Sequence, residues 1–556
     1  MGAAGLSCTP VPNHKMTEKH VDGLIVGAGV GGLAASVLLA HHGVRTLLVE
    51  KRAEVFIYPK ARNLTFRSLE ILRGLGLGKA VGAVAEHMSN MVSKETLNSA
   101  DEKSAIDSDV FFPSAERFSP EPFGKYCPQS YLEPILLAEA RRLGSEVRYG
   151  VDLVSFSQDD AGVVATISGR DNGESTVVHA DYLIAADGTH SPIRRELGIT
   201  TSGMGPLPMF IVFVYFRAPW RQFVPNLGNG DAVYVENPNV SGIFMVAEDD
   251  LGVFTTTYFP SKGQTADQFT PQRCREMLLK AIGASIDIEI IDVAPWQPHE
   301  QVADQFQCGR VFLLGDAAHT MPGFKGGGAN TAIHSAQNLA WKLAAVLNRT
   351  AGPQLLDTYQ TERHPVGRFA ARQSLTGPAT SFLRLDDKGP GLLPAEEERP
   401  IFYMVAGYKY RSPAVVTNGP PPADPQAVQL IEGEELHGEA GTRVPHVWVQ
   451  RDGERVSTLD LLGKGFTLFT GDAGDQWLAA AVSASASLGV SVDFQCIGPN
   501  GVVRDVDGEW ARVTGLSDEG ALLVRPDDFV GWRAEALPTD PDQELCQALS
   551  QILARS

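Results

Sequence analysis

The chain has 556 residues, 43% of them hydrophobic and 20% charged, a balance that excludes wholesale disorder. Its 66 Asp and Glu outnumber 47 Lys and Arg, and the net charge of −19 repels phosphate backbones, so nucleic acid is not an expected partner. The longest apolar run, residues 209–216, falls far short of the ~18 residues that a membrane helix needs, so no membrane is expected either.

Residues 1–20 lack the apolar core of a secretory signal and read as a disordered tail, with Met16 as an alternative start. Residues 21–26 then have the composition of a buried strand, and Gly27-Ala28-Gly29-Val30-Gly31-Gly32 follows. Residues 33–42 are Ala/Leu-rich and helical, with Gly43 as a stop, and residues 45–49 form a second strand ending at Glu50. Strand, glycine turn, helix, strand and acid open a doubly wound α/β sheet. An amphipathic helix is expected around 68–75, then an irregular Ser-rich stretch to about Gly124 and a helix over 130–143. Short strands follow over 147–151, 153–157 and 163–168, and residues 182–186 enter Asp187-Gly188 as a strand.

Alternating aromatic and β-branched residues from about 208 to 293 predict antiparallel sheet. Residues 309–314 return to a buried parallel-type strand, and the helix after Asn330 puts Ile333, Ala336, Ala340, Leu343 and Leu347 on one face. Residues 413–425 read as a linker or long loop. Beyond it, residues 466–470, a helix through Trp477 and residues 490–495 make a β-α-β unit, and residues 521–532 a hairpin turning at Pro526-Asp527-Asp528. Asp505-Val506-Asp507-Gly508 is only a fragment of a calcium loop and reads as a turn. The six cysteines, Cys8, Cys127, Cys274, Cys308, Cys496 and Cys546, form no CxxC. Neither a disulfide framework nor a metal site is expected, and a reducing cytoplasm suits the chain.

In the glycine motif, Gly27 permits the tight turn, Gly29 lets the backbone approach a pyrophosphate, and Gly32 lets helix pack on strand. The helix start adds unpaired amides for a diphosphate. Glu50 stands near the spacing of an acid that bonds a ribose hydroxyl, and an acid there favours FAD or NAD over a 2′-phosphate. The motif does not choose between them.

Two later stretches do. Asp187-Gly188-Thr189-His190-Ser191-Pro192-Ile193-Arg194 resembles the second fingerprint of the class A flavoprotein hydroxylases, the p-hydroxybenzoate hydroxylase fold. Gly309-Arg310-Val311-Phe312-Leu313-Leu314-Gly315-Asp316-Ala317-Ala318-His319 closely resembles their third. Residues 441–446, 459–463, 524–526 and 532–533 are similar to phrases of the thioredoxin-like appendage in phenol, dichlorophenol and polyketide hydroxylases. Without a CxxC that domain is expected to pack or make oligomer contacts, not redox chemistry. The resemblance covers nearly the whole chain and implies mixed α/β and α+β architecture. A Rossmann-like FAD-binding domain spans 21–205 and 299–405, an antiparallel substrate sheet 206–298, and a thioredoxin-like domain 406–556.

The same resemblance implies site residues. FAD would be held by Gly27, Ala28, Gly29, Val30, Gly32, Glu50, Lys51, Arg52, Arg62, Gln129, Val154 and Asp187, with Asp316 on the ribityl chain. Amides of Gly327, Gly328, Ala329 and Asn330 would face the flavin pyrimidine, and Lys60, Arg62 and Arg67 fall in a loop bordering the ring. For Arg62 a surface salt bridge is an equal reading. Catalysis is assigned to Arg62, Tyr215, Pro322 and Gly323, and substrate contact to Phe213, Tyr215, Tyr234, Phe244 and Tyr258, although half of any strand faces elsewhere. His299, Tyr215 and Arg62 are candidates for ionising a phenol. Three positions depart from the family: Pro322-Gly323 where two prolines are usual, Ser335 for aspartate and Thr65 for asparagine.

The implied activity is an FAD-dependent monooxygenase that hydroxylates a phenolic or polycyclic aromatic through a flavin hydroperoxide, in antibiotic biosynthesis. Dioxygen is a co-substrate, and NADPH or NADH binds transiently, since no second GxGxxG follows a strand. A homo-oligomer is left open. The alternatives are a same-fold epoxidase or reductase on a non-aromatic substrate, a nicotinamide dehydrogenase, and a non-catalytic flavin-binding protein.

Overall fold

The computed structural model describes residues 17–55, 61–87, 91–106, 114–171, 173–248, 250–377, 397–417, 419–420, 423–499 and 501–555. Cys8, Met16 and Lys60 lie outside them. The first strand is Thr17–Val26, so order begins before residue 21: Thr17 to His20 pair in parallel with Thr176 to His179. The strand Thr46–Glu50 is buried at every position, as expected of an apolar run covered on both faces. Ser175–Ala185, Thr17–Val26, Thr46–Glu50 and Glu146–Tyr149 are successive parallel neighbours, with Val311–Leu313 on the other side of Ser175–Ala185. The antiparallel pair Val151–Gln158 and Val163–Gly169 is appended to Ser175–Ala185. Helices Val30–His41, Gln129–Arg142, Gly327–Leu347 and Asp357–Gln373 bury their apolar faces against this sheet in one core.

A second sheet orders its strands Glu289–Trp296, Phe210–Arg217, Leu251–Tyr258, Val240–Glu248, Ala232–Asn237, Met91–Lys94 and Lys103–Ile106. The last two come from the stretch read above as irregular. They are short strands rich in Lys and Ser at the sheet's margin, which leaves no apolar period to read. The substrate sheet is therefore not confined to residues 206–298. Helix Pro271–Ile282 covers one face, closing a core of Val212, Val214, Phe216, Phe244 and Phe254.

The C-terminal unit has a seven-stranded sheet in which Phe466–Thr470 runs parallel to the middle strand, Val492–Gly498, and antiparallel to Ala521–Val524. Helices Asp475–Leu488 and Pro541–Ile552 fill one face and Trp510 of helix Glu509–Thr514 the other. The cysteines at 127, 274, 308, 496 and 546 are free thiols. Among the described residues, no helix is long and apolar enough to cross a membrane.

Candidate active site

The three motifs meet at the carboxyl ends of the parallel strands. Gly27 has φ +106°, and a Cβ there would collide with the Ala186 carbonyl; at Gly32 it would strike the Gly27 carbonyl. At Gly29 it would meet nothing within 4 Å, so this is where the turn opens outward. Tight glycines around one open one make a cradle shaped for a diphosphate at the start of helix Val30–His41.

Glu50 caps this turn. Its Oε2 accepts the Ala28 amide at 2.7 Å, and Oε1 accepts the Arg52 amide and Nε, both at 3.0 Å. Burial alone would raise this carboxyl, but the bonds from Arg52 and Ala28 outweigh it and hold the group below its ordinary value. A carboxylate has about four acceptor sites, so the charged form keeps room for a ribose hydroxyl. Lys51 is exposed, Arg52 half-buried, and Val154 sits at a register shift in its hairpin with a side chain 61% exposed. Gln129 gives its amide to Ala61 O at 2.6 Å and its side chain to the buried Glu133 at 2.5 Å.

Asp187 accepts the Ile193 amide at 3.2 Å through Oδ2, while its buried Oδ1 has no hydrogen-bond partner. Burial raises the carboxyl despite bonds from Ser191 and Ile193. Arg194 ties the second motif to the third, donating to Ala317 O at 2.8 Å and Thr189 O at 2.9 Å. Asp316 is exposed at the end of strand Val311–Leu313 and receives Thr189 Oγ1 at 3.3 Å. An open glycine cradle, an exposed carboxylate and an unpartnered buried oxygen on one strand-end rim fit a dinucleotide such as FAD.

The long helix Gly327–Leu347 starts at Gly326, φ +64°, just after the short turn Gly323–Lys325 that follows Pro322. Gly328 and Ala329 are half-buried in the first turn, whose amides have no acceptor within the helix, and this helix packs against Gly315–Ala317 of the third motif. Asn330 is different: Oδ1 accepts Thr65 N at 2.9 Å and Ser68 Oγ at 2.6 Å, and Nδ2 reaches Asn63 O and Gly326 O. With its side chain spent on protein, Asn330 offers a ligand its backbone alone. Thr65 thus has a partner of its own, and Ser335 accepts Arg363 Nε at 3.0 Å.

Arg62 leaves the FAD-domain loop for the second sheet. It contacts Met245 Sδ and donates to Tyr126 Oη at 3.1 Å and Val246 O at 2.9 Å. Met245 fixes which face of that sheet looks at the FAD domain. Phe213, Thr255, Ile243 and Tyr234 are register partners in one row on this face, and Tyr215, Val253 and Met245 form the next. Ile211 and Phe213 also pack with Leu375, from the end of helix Asp357–Gln373.

Two substrate assignments are corrected. Phe244 and Tyr258 have the opposite parity and point into the core under helix Pro271–Ile282, Phe244 against Trp220 and Tyr258 against Phe210. A two-residue period turns alternate side chains away. Arg67 is corrected too: it is buried in helix Phe66–Gly74, paired with Glu70 and Asp528, and does not border the flavin side. His299 Nδ1 lies 2.9 Å from Gln297 O, with its ring edge-on to His190. Met245, Ile243 and Thr255 were missed because apolar or hydroxyl residues carry no chemical signature; their parity with Phe213 was the available signal.

Residues 20–374 match the FAD binding domain family, and residues 437–556 match the family described as aromatic-ring hydroxylase, C-terminal. The chain is 38% identical to the tetracenomycin A2 monooxygenase-dioxygenase of Streptomyces glaucescens over 97% of this chain and 98% of that one. It is 35% identical to the 2,4-dichlorophenol 6-monooxygenase of Delftia acidovorans, over 98% and 100%. A crystal structure of aklavinone-11 hydroxylase with FAD and aklavinone superposes with TM-score 0.86 at 34% identity, covering 97% of this chain and all of that one.

Proposed function

The chain belongs to the FAD-dependent aromatic-ring hydroxylases, and from that premise we propose that it inserts one atom of dioxygen into a planar polycyclic phenol of the aromatic polyketide type. NADPH or NADH supplies the electrons, binding only for that step, and the reducing cytoplasm is the proposed compartment. Bound FAD supplies the electron and oxygen-transfer chemistry. This chain's residues bind, orient and exclude water.

The observation that carries the reading is the flat row of Phe213, Thr255, Ile243 and Tyr234 on the sheet face that Arg62 and Leu375 join to the FAD domain. A fused ring system laid flat on such a row would bury one of its faces there, with the FAD domain across from it. The Gly29 amide and Asp187 hold the dinucleotide, Asp316 its ribityl chain, and the first-turn amides of Gly327–Leu347 an anionic ring edge. Arg62 closes the loop over the joint between domains, and Pro322 and Gly323 carry the facing loop. Tyr215, on the same face, is the proposed hydrogen-bond partner of the substrate phenol.

The two named relatives act on substrates of different size, by their names a tetracenomycin and a dichlorophenol. The test is aerobic NAD(P)H consumption by the purified protein with simple phenols and with tetracyclic phenols. Slow consumption that rises sharply with the tetracyclic class, with a product one oxygen heavier, is expected. Stimulation by simple phenols alone would overturn the substrate class, and turnover without added oxygen would turn the reading to a reductase.

A further inference from the structure

The described structure buries two groups of charge where the C-terminal unit meets the helices behind the proposed flavin site. In the first, Glu362 of helix Asp357–Gln373 takes Lys342 at 2.7 Å and a two-pronged Arg525 at 2.6 and 2.8 Å, all with side chains fully buried. Arg525 also binds Asp527, and Asp527 accepts Asn338 Nδ2 at 3.0 Å. In the second, Arg67 pairs with Glu70 at 3.2 Å and with Asp528 at 2.8 Å. Gln337 joins it, donating to Asp528 at 3.0 Å and accepting from Arg67 at 2.7 Å. Each group interleaves charges from the helices with charges from the hairpin between Ala521–Val524 and Val530–Ala534.

Buried ion pairs add little net stability once desolvation is subtracted, but a mismatched one is costly. Alternating charges therefore select one register of hairpin on helix. Gln337 and Asn338 sit about 10–12 Å along the long helix from Asn330, at 1.5 Å per residue. Arg67 sits one position from Ser68, which donates to Asn330 at 2.6 Å. Both helices that build the turn at Asn330 are thus held by the same two aspartates. Asp528 itself has φ +68°, in the left-handed region that Asp and Asn enter more readily than other residues besides glycine.

We propose that the Arg525–Asp528 hairpin of the C-terminal unit is a positioning element for the proposed flavin-facing turn, Asp528 and Asp527 being its positioning residues. By fixing where the long helix begins, it governs how tightly NAD(P)H oxidation is coupled to oxygen insertion. The proposal rests on the functional reading above for its coupling readout, but its spectral readout needs no substrate.

The test is Asp528→Asn in the full-length holoenzyme. Asparagine tolerates the left-handed backbone and keeps the bond to Gln337, so only the charge is removed. Val503→Ala, in the core of the same unit on a strand separated from the hairpin by Val492–Gly498 and Phe466–Thr470, is the control for general destabilisation. Asp528→Asn is expected to shift the bound-flavin absorption bands and midpoint potential and to lower product formed per NAD(P)H at least twofold. Asp528→Glu is expected to recover part of both. Val503→Ala is expected to lower Tm and move neither. A flavin spectrum, potential and coupling unchanged in Asp528→Asn, or changed equally in Val503→Ala, would overturn the proposal. A protein that hydroxylates nothing would overturn the functional reading, while the potential and spectrum still decide the hairpin's role.

Discussion

On the helix side of the second sheet, Val212, Val214, Phe216, Val233, Phe244 and Phe254 are fully buried against Pro271–Ile282. On the other side Phe213, Tyr215, Thr255 and Tyr234, from the same strands, face the FAD domain across from Arg62. The two sets have similar composition and come from the same segments. What separates them is parity alone, so an aromatic residue in such a strand takes its role from an odd or even position, not from its type.

Truncating one aromatic on each face separates the two roles. Phe244→Ala empties a site packed by Phe216, Trp220 and Phe254 and is expected to cost about 3–5 kcal/mol of stability by urea unfolding. The KM for the aromatic substrate should be unchanged in whatever fraction stays folded. Phe213→Ala, on the half-buried face, is expected to raise that KM about tenfold with a smaller stability loss. A KM effect from Phe244 equal to that from Phe213 would contradict the assignment of faces.

Asp316→Ala is expected to weaken FAD binding by about tenfold to a hundredfold, since a hydrogen bond to a charged group is worth about 1.5–3 kcal/mol. Flavin fluorescence titration reads it, and unchanged affinity would remove Asp316 from the site.

Acid should act on the buried histidines. Burial first, then the nearby Arg363 charge, push His319 down to about 3, and burial with Arg443 does the same to His446, also to about 3. The unfolded imidazole titrates near 6.5, so below that pH the unfolded chain binds more protons than the folded one. The contribution is whole above 6.5 and is lost as pH falls toward 3, by about 1.4 kcal/mol per pH unit for each group. His319→Asn should flatten the fall of the urea midpoint between pH 6.5 and 5; an identical slope would mean that His319 is protonated in the folded state. The smallest effect is expected from Tyr234→Phe, whose hydroxyl lies 3.0 Å from Ser241 Oγ, at about 0.5–1.5 kcal/mol.

Local rules were legible where chemistry and geometry coincide. Gly27 and Gly32 were readable as tight positions because only glycine fits there, and the structure puts a carbonyl against each missing Cβ. Glu50 could be named from its spacing after the glycine motif, and Asp187 and Asp316 from the resemblance of their stretches to the hydroxylase fingerprints. The Lys- and Ser-rich strands Met91–Lys94 and Lys103–Ile106 were not readable, because a marginal strand needs no apolar face. Arg67 was misread since sequence neighbours suggested the flavin side, while its partners Asp527 and Asp528 lie about 460 residues away in the chain. Long-range charge pairing leaves no local pattern.

If dioxygen supplies the atom added to the aromatic ring, isotope labelling will show it. The purified holoenzyme, NADPH and the phenol that best stimulates its oxidation would be incubated under oxygen-18 gas in ordinary water, and the product weighed. The expected product carries one oxygen-18 atom on the ring. A product labelled only in oxygen-18 water, or the starting phenol recovered while NADPH is consumed, would contradict it.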